Sequence, residues 1–91
     1  VENMPYVFAT REGYLAYKAT GSAKNTATTP ADVDVTINVS ELTKVLDVIS
    51  VYGSPASGFT VKSITGNNVT VTASSVPAGA TVNVTIIAIG V

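Results

Sequence analysis

From Asp32 to Val39 the chain alternates without a break, with Val33, Val35, Ile37 and Val39 on one side and Asp32, Asp34, Thr36 and Asn38 on the other. Successive side chains of an extended strand point to opposite faces, so this octet is a half-buried β-strand with one dry face and one wet face. A surface helix would instead space its apolar residues three and four apart. The same bias runs through the whole chain, where Val, Thr and Ile fill 34 of 91 positions. β-branched side chains lose rotamer freedom in helices and pack well on pleated surfaces. The expected class is all-β.

Turn residues divide the rest of the chain into strands of similar length. Residues 59–64 read as one strand, Thr65, Gly66, Asn67 and Asn68 as a tight hairpin tolerant of positive φ, and residues 69–72 as the return. A turn at Val76-Pro77-Ala78-Gly79 leads into a long final strand over 81–89, with Val82, Val84, Ile86 and Ala88 on one face. Ile87, Ile89 and Val91 face the other way, which puts this strand in the middle of a sheet or beneath a neighbouring subunit. Nearer the start, Pro5 suits a strand opening, Tyr6 and Phe8 share one face of a short strand, and Arg11-Glu12-Gly13 turns into a second strand over 14–20. Residues 21–31, GSAKNTATTPA, lack periodicity and read as a surface loop. Residues 40–44 read as a short turn, 45–52 as a strand ending at Gly53, and 54–58, with Pro55, as a loop.

About seven short strands with turn signals roughly every ten residues predict an antiparallel β-sandwich of immunoglobulin-like or jelly-roll type. A chain of 91 residues makes one core, so residues 1–91 form a single domain, with 1–20 a docking arm or edge hairpin. Because it begins at Val1, the chain is expected to be processed or cut from a longer one.

Missing residue types narrow the chemistry. There is no histidine and no cysteine, which removes the usual neutral-pH base, the thiolate nucleophile and the soft metal ligands. The serines have no histidine partner, and the glycines at 53, 58, 66 and 79 precede no helix that would cradle a phosphate. Asp32 and Asp34 are neighbours on a wet strand face, an arrangement open to a calcium ion with Asn38, but exposed acids on a strand are usually just solvated. No enzyme activity, metal or cofactor is expected.

Charge and length exclude further partners. Five basic and six acidic residues leave a net charge of −1 without a run of either sign, so nothing resembles the basic footprint of a nucleic-acid binder. The longest apolar run, residues 86–89, falls far short of the roughly 20 residues of a membrane-spanning helix, and no membrane partner is expected. Three Asn-x-Ser/Thr triplets, at Asn38, Asn68 and Asn83, arise from the Asn, Val and Thr content of strands and are read as strand sequence rather than glycan sites.

Residues 58–72, GFTVKSITGNNVTVT, followed by residues 81–90, TVNVTIIAIG, resemble the closing strands of small β-sandwich virion proteins of tailed phages and related viruses. A similar final strand occurs in H-type lectin domains, trimeric sandwiches that bind N-acetylgalactosamine, although those usually carry a tryptophan there and this chain has none. The first resemblance implies a non-enzymatic structural subunit of a virus particle, a capsid decoration or tail and fibre accessory protein on the virion surface. Its partners would be itself, a homotrimer being favoured, and a major capsid or tail protein. The candidate partner-binding residues are Tyr6, Phe8, Tyr14 and Tyr17, which gather most of the aromatics into the first twenty positions. The alternative is a carbohydrate-binding lectin-like or immunoglobulin-like adhesion module, with Tyr14, Tyr17, Tyr52 and Phe59 as stacking platforms for a glycan.

Overall fold

A computed structural model describes residues 6–9 and 13–91. It contains β1 (Tyr6–Ala9), β2 (Leu15–Lys24), β3 (Ala31–Asn38), β4 (Val45–Ser54), β5 (Gly58–Thr65), β6 (Asn68–Val76) and β7 (Thr81–Gly90), with no helix among the described residues. Two sheets form, one of four strands in the order β1-β2-β7-β4 and one of three in the order β3-β6-β5. Every pairing is antiparallel. The all-β sandwich is therefore what the chain adopts. The layering is the four-plus-three arrangement of immunoglobulin constant-type domains, with β5 and β7 exchanged in the strand order.

The core lies between the sheets and is built from the inward side of each alternation. Val35 and Ile37 of β3, Val69, Val71, Ala73 and Val76 of β6, and Val82, Val84, Ile86 and Ala88 of β7 are all buried. Leu42, in the turn between β3 and β4, folds back to join them, and its carbonyl accepts a hydrogen bond from the Asn67 amide at 3.1 Å. Burial of each such Val, Leu or Ile side chain contributes about 1.5–3 kcal/mol. As expected, β7 runs through the middle of its sheet, flanked by β2 from Thr81 to Gly90 and by β4 from Asn83 to Gly90.

The predicted loop over 21–31 is shorter than the sequence suggests. β2 continues through Lys24, and only residues 25–30 connect it to β3. Periodicity is hidden there because the inward positions of β2, Ala19, Gly21 and Ala23, carry almost no side chain. Smallness is what that position requires. A Cβ on Gly21 would lie 2.8 Å from Cγ1 of Ile37 and 3.2 Å from Cγ1 of Val35, so β2 crosses β3 at a separation that only glycine permits.

Asn25, just beyond β2, is 3% exposed and is the one buried polar residue among those described. Its side-chain amide donates to the carbonyls of Val76 at 2.9 Å, Thr29 at 3.1 Å and Pro77 at 3.3 Å, while its Oδ1 accepts the Ala27 N–H at 2.9 Å. Its backbone N–H donates to Ala80 and its carbonyl accepts from Gly79. The residue pins the β2–β3 connection to the β6–β7 turn.

Several boundaries also differ from the sequence reading. β1 carries a register shift between Tyr6 and Phe8, which sets Tyr6 opposite Tyr17 and Phe8 opposite Ala16. Tyr17 and Ala16 are successive residues of β2, so the two aromatics lie on opposite faces rather than sharing one. Among the described residues, Leu15, Ala16 and Tyr17 pair with β1 on one side and β7 on the other, while residues 18–24 pair with β7 alone. Pro5, Arg11 and Glu12, read as a strand opening and a turn, fall outside the described residues. β4 continues past Gly53 to Ser54 and contains two register shifts, after Val45 and after Val48. β6 extends to Val76 by absorbing an irregularity opposite Ala31–Val33, where Ser75 takes a left-handed φ of 55° and donates its N–H to Asp32. The β5–β6 hairpin is as expected, with Gly66 at φ 59° between the paired Thr65 and Asn68.

Candidate interaction surface

Each sheet turns its second face outward, and the two faces differ in chemistry. On the three-stranded sheet the outward residues form cross-strand rows: Asp34, Thr72 and Thr60; Thr36, Thr70 and Ser63; Asn38, Asn68 and Thr65. Their polar groups are largely spent on one another. The Lys62 ammonium donates to Oδ2 of Asp34 at 2.6 Å and the Thr72 hydroxyl to Oδ1 at 2.7 Å. The hydroxyls of Thr36 and Thr70 lie 3.4 Å apart, and the Asn38 amide donates to Oδ1 of Asn68 at 2.8 Å and of Asn67 at 3.1 Å. The hydrogen bond from Lys62, followed by that from Thr72, holds the Asp34 carboxyl below its ordinary pKa. Both acids of the Asp32/Asp34 pair are thus engaged, one by the Ser75 backbone and one by Lys62 and Thr72.

The four-stranded sheet presents a different set. Reading across β2, β7 and β4, its outward rows are Ala16, Ile89 and Asp47; Lys18, Ile87 and Ser50; Thr20, Thr85 and Tyr52; and Ser22, Asn83 and Ser54. Phe8 of β1 extends the first row beyond Ala16. The extra residues at the two β4 bulges are Leu46 and Ile49, exposed at 41% and 49% on the margin beside Asp47 and Ser50. Half of this face is therefore apolar, with half-buried Ile87 and Ile89 at its centre, Leu46 and Ile49 on one flank and Phe8 on the other. The other half is neutral and polar. A shallow hollow of about 390 Å³ opens there, lined by Thr20, Gly21, Ser22 and Asn83.

The aromatic candidates are dispersed over this frame. Tyr6 and Tyr17 meet edge to face with ring centroids 5.7 Å apart, and Tyr17 packs against the core. Phe8 stands on the outward face of the four-stranded sheet, and Tyr14 is exposed ahead of β2. Of the alternative set, Phe59 also packs against the core and Tyr52 projects outward, half exposed, from β4. Tyr17, Tyr52 and Phe59 do not form one platform. Sequence reading found the outward Ile87 and Ile89 but gave Leu46 and Ile49 no face, and strict alternation from the buried Val45 would have turned Ile49 inward, where the intervening bulges bring it outward.

No group of three or more potential metal-ligating side chains gathers among the described residues. The chain matches no family model, no curated protein and no solved structure.

Proposed function

We propose that the chain is a non-enzymatic structural subunit of a virus particle, of the decoration or tail and fibre accessory type that its closing strands resemble, acting on the particle surface through protein–protein assembly. The observation that carries this reading is the inequality of the outward faces. One is a hydrogen-bonded polar ladder suited to water, while the other exposes Leu46, Ile49 and Phe8 around Ile87 and Ile89. Contiguous apolar surface rimmed by polar residues is the usual mark of a protein interface. Co-sedimentation with particles assembled from tailed-phage major capsid or tail proteins tests the reading. The natural sequence is expected to pellet with them, and Ile49→Glu to stay in the supernatant. If both remain in the supernatant, the reading fails.

A second reading, a carbohydrate-binding module, is favoured by one feature, the exposed Tyr52, which lies in the row of Thr20 and one row from Ser22 and Asn83, the residues that line the hydroxyl- and amide-bearing hollow. A glycan there would shift the backbone amide resonances of residues 20–22 and 83–85 at millimolar sugar. Unmoved resonances remove this reading.

A further inference from the structure

We infer that the apolar outward face of the four-stranded sheet pairs with the same face of a second copy of this chain, about a two-fold axis running parallel to β7. The inference rests on the assembly reading above in treating this face as a protein-docking surface, and it names the partner.

Three observations converge on self-pairing. First, the charges of the face are divided between its flanks: Lys18 lies on β2 in the row of Ile87, and Asp47 lies on β4 in the row of Ile89. A two-fold axis along β7 lays β4 of one copy over β2 of the other while keeping the strands aligned, as face-packed sheets prefer. Lys18 then faces the partner's β4 one row away from Asp47, an offset of two residues or about 7 Å. An extended lysine side chain covers that distance, so each copy supplies one end of two equivalent ion pairs. Asp47 keeps an oxygen for this contact, since among the described residues its carboxylate accepts through Oδ1, from the Val48 N–H at 2.8 Å.

Second, the centre of the face lies on the axis. Ile87 and Ile89 belong to β7, so the operation brings each half-buried isoleucine against its own counterpart region and completes its burial. Leu46, beside Asp47, falls over the row of the second copy's Ala16, which is already buried, and Ile49, beside Ser50, falls over the stem of its Lys18.

Third, the size suits such a contact. β2, β7 and β4 have ten residues each. Three strands of that length cover roughly 500 Å² in plan before side-chain relief and β1 are added. That figure takes in the polar half of the face as well as the apolar half, and it falls short of the about 800 Å² per partner of a standard interface, which suits a weak, concentration-dependent pairing. An isologous contact of this kind closes after two copies, in contrast to the trimer expected from the sequence resemblance.

Light scattering across about a hundredfold range of concentration, together with a charge-exchange set, tests the inference. The natural chain is expected to approach twice 9.3 kDa at the upper end. Lys18→Asp and Asp47→Lys should each weaken the dimer tenfold or more, and the double variant Lys18→Asp/Asp47→Lys should recover most of the loss. Both positions are exposed, so the variants are expected to keep the β-type circular dichroism of the parent. A trimer overturns the two-fold pairing, as does a dimer indifferent to the single exchanges or not rescued by the double one. A monomer at every concentration overturns it too. If that monomer still co-sediments with particles, the assembly reading survives without the self-pairing; if it does not, both fall.

Discussion

The two outward faces of this sandwich share a backbone geometry and much of the same residue alphabet, yet they use their side chains in opposite ways. On the three-stranded sheet, Thr36, Asn38, Thr70, Thr72 and Asp34 bond to one another or to Lys62 across the strands. On the four-stranded sheet, the corresponding positions of β7 hold Ile87 and Ile89, and β4 adds Leu46 and Ile49 through its bulges. Cross-strand polar pairs contribute only about 0.2–1 kcal/mol each, so the ladder adds modestly to stability while keeping its face hydrated. Exposed isoleucine and leucine gain nothing until something covers them. A strand edge or face left apolar risks nonspecific pairing, and selection against that risk is relaxed where a partner is meant to bind.

The largest expected effect comes from breaking the scaffold that holds the two faces back to back. Asn25→Leu leaves the Val76, Thr29 and Pro77 carbonyls and the Ala27 N–H without their side-chain partner, at a cost of about 2–4 kcal/mol. Urea denaturation should show a lower midpoint with an unchanged slope. A loss below about 0.5 kcal/mol would mean that water replaces the amide without penalty.

An intermediate effect separates the faces. Ile87→Lys should abolish self-association or particle binding while costing the fold little, because a lysine stem can lie along the sheet with its ammonium in water. Thr70→Lys, its counterpart on the polar ladder, should leave mass and particle binding unchanged. If both substitutions act alike in sedimentation, the distinction between the faces is wrong.

The smallest effect concerns the Asp34 ion pair. Its carboxyl is held below the ordinary value of 3.8 by Lys62 and Thr72. A carboxylate with a depressed folded-state pKa adds stability above its unfolded pKa, and that contribution is lost as pH falls through the folded value. Acid titration of thermal stability should therefore be slightly shallower below pH 4 in Asp34→Asn than in the parent. Because the pair is exposed, added salt should narrow the difference.

Much of the fold was legible in the chain. The alternation over Asp32 to Val39 fixed a strand and its buried side, and the Gly66-Asn67 turn fixed a hairpin. The outward Ile87 and Ile89 marked β7 as an interior strand. What escaped notice were positions where the rule of two fails locally. Leu46, Ile49 and Ser75 sit at irregularities that shift the register, and Gly21 and Ala23 fill inward positions with so little side chain that their strand reads as a loop. Asn25 escaped for another reason: in sequence it is one polar residue among many, and its role depends on carbonyls about fifty positions away.

The sequence by itself determined that the chain is all-β, where most strands lie and which side of β3 is dry, because side-chain alternation is a local property of each strand. Tertiary structure alone decided the strand order, the exchange of β5 and β7, the burial of Asn25 and the gathering of Leu46, Ile49, Ile87 and Ile89 on one face. These depend on which strands become neighbours across the sandwich and on where bulges displace them, and pairwise contacts between distant segments leave no periodic signal in a single strand.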